Sequence, residues 1–310
     1  MYLLIGTPYD ACIGRIQHKL EATGEEVLVT PEPLAGEVDF RGEGRVAEVR
    51  WDLTTAHSLS RLKLGQHSIG QEDIRGVLVR GSGAPLQPAD WDPKDYAYMQ
   101  AEAQSALLAW LNSLPCPVVN PARAETFYRE RTLPEQRVWL ARAGFPTTPI
   151  LVTNSPASAR RFARRWGGNL SYVPLTSATR YPIDGPAQWA ELERLMARFP
   201  VCLMEPEGPS FYLTLAGDRL VWSEGYFPGD SRVALPGRAK ARLEGAARRL
   251  LEGLGVQMVQ IEVQPRDGQA RAFGFSLYPD FALYGEAEQE ELAEGVVAAL
   301  KGVAGKGVRA

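Results

Sequence analysis

The chain has 310 residues, 45% of them hydrophobic and 23% charged, the composition of a folded protein with room for about two domains rather than of a disordered one. Its 34 basic and 37 acidic residues leave a formal charge of −3, which excludes a strongly basic nucleic-acid footprint. No stretch approaches the ~18 consecutive apolar residues that a membrane-spanning helix needs.

The opening MYLLIGTPYD has no basic region ahead of its apolar residues, so it reads as a first strand, Tyr2 to Ile5, and not as a signal peptide. Residues 9 to 22 place Ala11, Cys12, Ile16 and Leu20 on one helical face, and Glu26 to Thr30 is a second strand. This β-loop-α-β start predicts an α/β domain with parallel strands. Val38 to Arg41, Arg45 to Asp52 and Ser58 to Leu64 are expected as short, more polar strands, and Gly76 to Gly81 as a buried one. Asp92-Pro93 opens a helix over 94–113 with Tyr98, Ala101, Leu108 and Leu111 apolar; Val118-Val119-Asn120-Pro121 is a strand that stops at the proline.

The second part begins with an Arg- and Glu-rich stretch containing a helix over 132–143, ended by Gly144. A strand follows at Ile150–Thr153, then a helix capped by Asn154 or Ser155 that runs to Trp166 and stops at Gly167-Gly168. Strands are expected at Leu170–Leu175 and Val201–Glu205, with a helix over Trp189–Phe199 between them. Phe211–Ala216 and Arg219–Ser223 form a hairpin across Gly217-Asp218. A long amphipathic helix covers Arg238–Leu254, a second hairpin pairs Val256–Val263 with Ala270–Ser276, and a last helix spans Glu286–Lys301 ahead of a frayed tail, Gly302–Ala310.

Cys12, Cys116 and Cys202 are odd in number and widely spaced, which predicts buried thiols in a cytoplasmic protein and neither a disulfide framework nor a CxxC metal site. His18, His57 and His67 have no metal-binding or triad spacing. Two basic runs, Arg160, Arg161, Arg164, Arg165 and Arg238, Lys240, Arg242, Arg248, Arg249, read as solvated helix faces, with an acidic partner as the alternative. The aromatic segment Phe211–Phe227, with Tyr212, Trp222 and Tyr226, reads as ordinary packing or as a lining for an apolar ligand or partner peptide.

The order of elements after residue 115 resembles the ATP-grasp ligases, nearest the branch of ribosomal-protein glutamate ligases and ribosomal-peptide-cyclising ligases. The stretches that carry the likeness are PCPVVNPARA (115–124), LARAGFPTTPILVTNSPASARRFARRWGG (140–168), VPL (173–175), CLMEPEGPSFYLTLAGDRLV (202–221), LLEGLGVQMVQIEV (250–263) and RAFGFSLYPDF (271–281). Tyr98 and Glu102 upstream resemble the lead-in of the peptide ligases. The resemblance implies an α/β protein with an α+β lid: an N-terminal pre-ATP-grasp domain over 1–121, a central lid over 122–204 and a C-terminal lobe over 205–310, with ATP between the last two.

Such ligases activate a carboxylate as an acyl phosphate, which needs cations around the triphosphate and hard oxygen ligands for Mg²⁺. There is no lysine between Lys94 and Lys240, where the resemblance implies two. Arg131 stands near the first expected lysine and Val173 in place of the second. No Gly-rich loop follows, since the segment reads Leu175-Thr176-Ser177-Ala178-Thr179-Arg180. Tyr212 falls where an arginine is implied, Glu262 at the first metal carboxylate, Gly274 at a bridging carboxylate and Ser276 at an asparagine. Losing charge-assisted contacts of this kind costs on the order of 2–5 kcal/mol each. Arg131, Arg180, Glu205 and Glu262 are therefore expected as the remnant of a nucleotide cleft, with no catalytic residue and no metal ligand among them. Glu205 marks the adenine end, or, with Glu207, is a solvated turn carboxylate.

These observations point to a pseudo-ligase: no cofactor, a binding or regulatory role toward a peptide or protein substrate or an active ligase relative, and no nucleic-acid or membrane partner. Self-association into a homo-oligomer is compatible with them. The alternative is an active carboxylate–amine or peptide-modifying ligase with an atypical site, using ATP and Mg²⁺; a third reading is a sensor that binds nucleotide without turnover.

Overall fold

The computed structural model describes residues 1–7, 9–30, 37–38, 44–45, 48–53, 58–64, 67–80, 92–121, 123, 131–175, 179–206, 208–223, 235, 237–266 and 269–302. The chain starts with β1 (Tyr2–Ile5), α1 (Ala11–Ala22) and β2 (Val27–Thr30), the two strands parallel as predicted. Asp10 starts α1 by accepting from the Cys12 and Ile13 backbone N–H groups, the usual way a carboxylate satisfies a helix's free donors. The buried face is Cys12, Ile13, Ile16 and Leu20; Ala11 is exposed.

β3 (Glu37–Val38) and β4 (Gly44–Arg45) pair antiparallel, as do β5 (Glu48–Leu53), β6 (Ser58–Leu64) and β7 (His67–Gly70) in turn. The sequence reading contained no strand at β7, and the end of its Val38–Arg41 strand lies outside the described residues. β8 (Gly76–Val79), α2 (Pro93–Ser113) and β9 (Val118–Val119) complete a parallel sheet ordered β2-β1-β8-β9. Alternation along β1 separates its two faces: Tyr2 and Leu4 pack with α1, while Leu3 and Ile5 pack with Leu107, Trp110 and Leu111 of α2. The expected apolar face of α2 is corrected here. Only its last turns reach the sheet, so Tyr98, in the first half, is 67% exposed.

α3 (Leu133–Arg142) starts in a capping box between Thr132 and Glu135 and ends at Gly144, whose φ of 89° favours glycine. β10 (Ile150–Thr153), α4 (Pro156–Ala163), β11 (Leu170–Val173), β12 (Tyr181–Ile183), α5 (Pro186–Met196) and β13 (Val201–Met204) build an antiparallel sheet ordered β10-β13-β11-β12. β12 was not expected, because Pro182 hides a strand from a propensity reading. α5 starts three residues before the expected Trp189, with Pro186 in its first turn, where a missing N–H costs nothing. Phe162 of α4 and Leu192 and Met196 of α5 cover one face of this sheet through Leu170, Ile183, Val201 and Leu203.

β14 (Phe211–Ala216), β15 (Arg219–Trp222), α6 (Gly237–Leu254), β16 (Met258–Arg266), β17 (Gln269–Ser276) and α7 (Glu286–Leu300) form the third unit, an antiparallel sheet ordered β15-β14-β16-β17. Leu243, Leu250 and Leu254 of α6 bury against Leu213, Ile261 and Val263, together with Leu140 of α3. α3 therefore belongs to the core of the third sheet although it precedes the second sheet in the chain. α7 ties the ends of the molecule together, its Leu292 and Val296 packing with Tyr2 and Leu4 of β1 and with Ala216 and Met258.

Candidate functional site

Alternation along β13 sets up the site. Val201 and Leu203 face α4 and α5; Cys202 and Met204 point the other way and meet Val173, Leu133 and Phe273. The inner face of the second sheet, the lid, is thus packed directly on α3 and β17 of the third, the body. Beside this apolar seam opens a cleft of about 190 Å³, with Arg131, Arg180, Tyr212, Gln260, Glu262 and Ser276 in its walls.

The charges in the cleft are organised around Glu262. Its Oε2 accepts from Arg180 Nη2 at 2.5 Å, and its Oε1 accepts from Ser210 Oγ at 2.6 Å and Gln264 Nε2 at 3.0 Å. Both partners of the ion pair are only 15% exposed. The Arg180 guanidinium also lies 3.6 Å from the centre of the Phe273 ring, a close cation–π contact. Behind the cleft, Arg137 of α3 is 6% exposed and donates to Ala272 O, with its guanidinium 4.9 Å from the same ring. Burial pulls Arg137 down to about 10, opposed by the fields of Glu262 and Glu205, so it remains a cation at neutral pH.

Of the four residues expected in a nucleotide cleft, Arg131, Arg180 and Glu262 line one cavity, and Arg180 and Glu262 are in direct contact. Glu205 is not in that lining. It sits just past β13 at 1% exposure, in the electrostatic field of Arg137, so the solvated-turn reading is overturned for it. Glu207 lies outside the described residues. Val173 is buried in the lid–body seam with Phe273 and Met204 and also lines the cleft, so valine puts an apolar side chain where the resemblance implies a lysine. At Gly274 a Cβ would lie 2.8 Å from Gln136 Oε1. Gln136 holds that place by donating to Arg131 O at 2.8 Å and accepting from Phe275 N at 2.9 Å. Ser276 Oγ accepts from Tyr278 N within its own turn.

Gln136, Arg137, Ser210, Gln264 and Phe273 were missed by sequence reasoning. Gln264 had a signal, since residues two apart on a strand share a face and Gln264 follows Glu262 at that spacing. Mg²⁺ demands near-octahedral oxygen ligation. No group of three His, Cys, Asp or Glu side chains gathers among the described residues, and both Glu262 oxygens already accept hydrogen bonds. Glu262 is the one carboxylate among the described residues of the cleft wall.

Elsewhere, Arg161, Arg164 and Arg165 are exposed as expected, while Arg160 bonds Glu193 at 2.6 Å and stacks over Trp189. In the second run, Lys240 lies over the Trp222 ring and Arg249 donates to Ala143 O. Phe211 is core, Tyr212 is in the cleft wall, and Tyr226 and Phe227 lie outside the described residues. The cysteines are free, Cys12 and Cys202 buried but Cys116 only partly so. His18 is exposed; His57 and the side chain of His67 lie outside the described residues, as does the tail from 303. A second, apolar cavity of about 580 Å³ lies in the lid between β11–β12 and α5, where Tyr172 and Tyr181 stack 5.9 Å apart beside Pro182, Leu192 and Leu195. Among the described residues no helix is long and apolar enough to cross a membrane.

No protein-family model matches the chain, and no curated protein matches it. Solved structures do. The macrocyclase MdnC of Microcystis aeruginosa MRC, bound with the precursor peptide MdnA, superposes with a TM-score of 0.74 at 15% identity, covering 96% of this chain and 98% of that one. A RiPP-associated ATP-grasp ligase of Chryseobacterium gregarium, in complex with ADP and a leader and core peptide, gives 0.73 at 14% identity over 96% and 95%. D-alanyl-alanine synthetase A of Vibrio cholerae O1 biovar eltor gives 0.62 at 15% over 97% of each chain. At such identities the likeness establishes a shared fold over nearly the whole chain.

Proposed function

Given that the chain has the ATP-grasp fold, we propose that it works without ligase chemistry, as a binding or regulatory partner of a peptide or of an active relative. One observation carries this reading: Glu262, the acid in the cleft wall, is bonded to Arg180, Ser210 and Gln264 instead of being presented to a metal. Acyl-phosphate chemistry is positioning plus neutralisation of a desolvated triphosphate. In the cleft wall the cations are Arg131 and Arg180, and the second of these is paired with Glu262. The remaining polar groups there, such as Tyr212, Gln260 and Ser276, are neutral.

A peptide is the partner class we favour. The apolar lid cavity, with its stacked tyrosines, is large enough for one or two bulky side chains, and aromatic faces suit such anchors. Structures of similar fold contain precursor peptides, which supports this choice. We place the protein in the cytoplasm, consistent with three free cysteines.

The test is calorimetric titration with ATP, with and without Mg²⁺, together with an assay for ADP release. No heat and no ADP is the expected result. Magnesium-dependent binding with turnover overturns the proposal and favours the atypical ligase, for which the place of Arg131 in the cleft wall is the favourable feature; Arg131→Ala would then abolish ADP release. Binding without turnover makes the protein a nucleotide sensor.

A further inference from the structure

Among the described residues, side chains of the lid meet side chains of the body at two places beside the cleft. The first is the apolar seam, where Val173, Cys202 and Met204 of the lid bury against Leu133 and Phe273 of the body. The second is the pair between Arg180, which leads into lid strand β12, and Glu262 of body strand β16. We propose that this Arg180–Glu262 pair is an interlobe clasp that holds the lid shut on the body with no ligand present. The inference rests on the reading of the cleft as one that does not take Mg·ATP, and extends it to how the cleft is regulated.

Three features give the pair this role. It joins residues 82 apart in sequence, one just ahead of β12 of the second sheet and the other in β16 of the third, so it is a contact between lobes and not within one. Both partners are held from the body: Ser210 and Gln264 fix the Glu262 carboxylate, and the Phe273 ring of β17 lies under the Arg180 guanidinium 3.6 Å away. The pair is also largely removed from water, where salt screens an ion pair much less than at an exposed surface. Val173 and Phe273 belong both to the apolar seam and to the cleft wall, so apolar surface adjoins the pair on one flank. Opening the lid would part the Glu262 carboxylate from its guanidinium and the guanidinium from the Phe273 ring, both desolvated in the closed state. The clasp therefore makes the closed state the resting state, and a ligand gains access to the cleft only by exchanging for one half of the pair.

The experiment measures the lid–body distance directly, without nucleotide. Spin labels are placed at Arg164→Cys on the lid and Arg248→Cys on the body, both exposed positions, in a Cys116→Ser background. Cys12 and Cys202 are buried and stay unlabelled. The clasp predicts a single narrow distance in the otherwise wild-type chain. Arg180→Met and Glu262→Gln should each broaden it and lengthen its mean by about 2 Å or more, the scale of a lobe rearrangement. Arg180→Lys, which keeps a cation facing Glu262, should hold the narrow distribution that Arg180→Met loses, which a merely space-filling role would not require. An unchanged distribution in the two single variants overturns the proposal. Should one single variant misfold, as read by far-ultraviolet dichroism, the other carries the test from the opposite lobe. Because no nucleotide is used, the outcome is independent of the ATP titration: the clasp can fail while the protein remains inert to Mg·ATP, and the reverse.

Discussion

Asn120 and Met258 are joined by a reciprocal pair of hydrogen bonds across the boundary between the first and third sheets: Asn120 Nδ2 donates to Met258 O at 2.8 Å, and Met258 N donates to Asn120 Oδ1 at 2.8 Å. The same amide donates to Leu277 O at 2.9 Å and accepts from Gln257 N at 2.9 Å. One buried side chain thus mimics a strand and satisfies backbone groups of both β16 and the turn after β17. Replacing it with alanine leaves several buried groups without partners, for a loss of roughly 2–4 kcal/mol. Asn120→Asp should cost nearly as much, because it keeps the acceptor but turns a carboxylate toward two carbonyl oxygens. Urea unfolding checks both; a loss confined to a few tenths of a kcal/mol would remove Asn120 from the interlobe boundary as a contributor.

Two helical glycines give opposite predictions for the same substitution. At Gly295 in α7 a Cβ would lie 2.0 Å from Ala216 O, a backbone atom that cannot step aside. The helix reaches β14 this closely only because no side chain intervenes, so Gly295→Ala should destabilise by about 1–3 kcal/mol through overpacking. Gly14 in α1 has open space around its missing Cβ. Gly14→Ala should stabilise by roughly 0.5–1 kcal/mol, because alanine costs less backbone entropy to fix in a helix. Thermal unfolding of the two variants side by side reads the contrast.

Stability should fall in alkali from about pH 9. Burial raises Cys12 from 9.0 to about 12 and Cys202 from 9.0 to about 11, and raises Tyr284 from 10.0 to about 12. A group raised in the folded state contributes stability that is complete below its unfolded value and is lost as pH climbs toward the folded one. Between pH 9 and 10 the thiols dominate, each tending toward a slope of roughly 1 kcal/mol per pH unit. Arg137 works in the opposite sense, because burial lowers it to about 10: its penalty in the folded state is relieved only above pH 10. The combined variant Cys12→Ala, Cys202→Ala should flatten the decline between pH 9 and 10 in denaturant titrations. An equal slope in that variant would mean that other groups carry the alkaline loss.

Most of the framework was legible because it is written in periodicity and punctuation. The Thr132–Glu135 capping box, the turn at Gly217 and the stop at Gly167-Gly168 each state a local geometry in residue types that few other geometries use. β12 was not legible, since Tyr181-Pro182-Ile183 becomes a strand only by pairing with β11. At the site, the sequence pointed to Arg131, Arg180 and Glu262, which line one cavity. It did not reveal what packs around them. Arg137 reads as one more polar residue on a short helix, and its burial against Phe273 follows from the packing of α3 on the third sheet. Glu205 reads as a turn acid, and its burial follows from where β13 ends relative to Arg137.

Gln136 and Gly274 supply the sharpest check on that infilling. The Gln136 amide sits where a side chain at 274 would begin, bonded on one side to Arg131 O and on the other to Phe275 N. Gly274→Ala must push this amide away and break one or both bonds, costing roughly 1–2 kcal/mol at about 1 kcal/mol per bond. Gln136→Ala deletes the same bonds and vacates the same space. The two losses are therefore one loss counted from either end, and the double variant should be hardly worse than the worse single one, a coupling of about 1 kcal/mol in a double-mutant cycle. Strictly additive losses would show that Gln136 and Gly274 do not share the space. The cycle also bears on ligand chemistry: with Gln136 in place, Gly274→Glu should gain no Mg²⁺ affinity by calorimetry, since the new carboxylate would have to displace an amide already bonded at both ends.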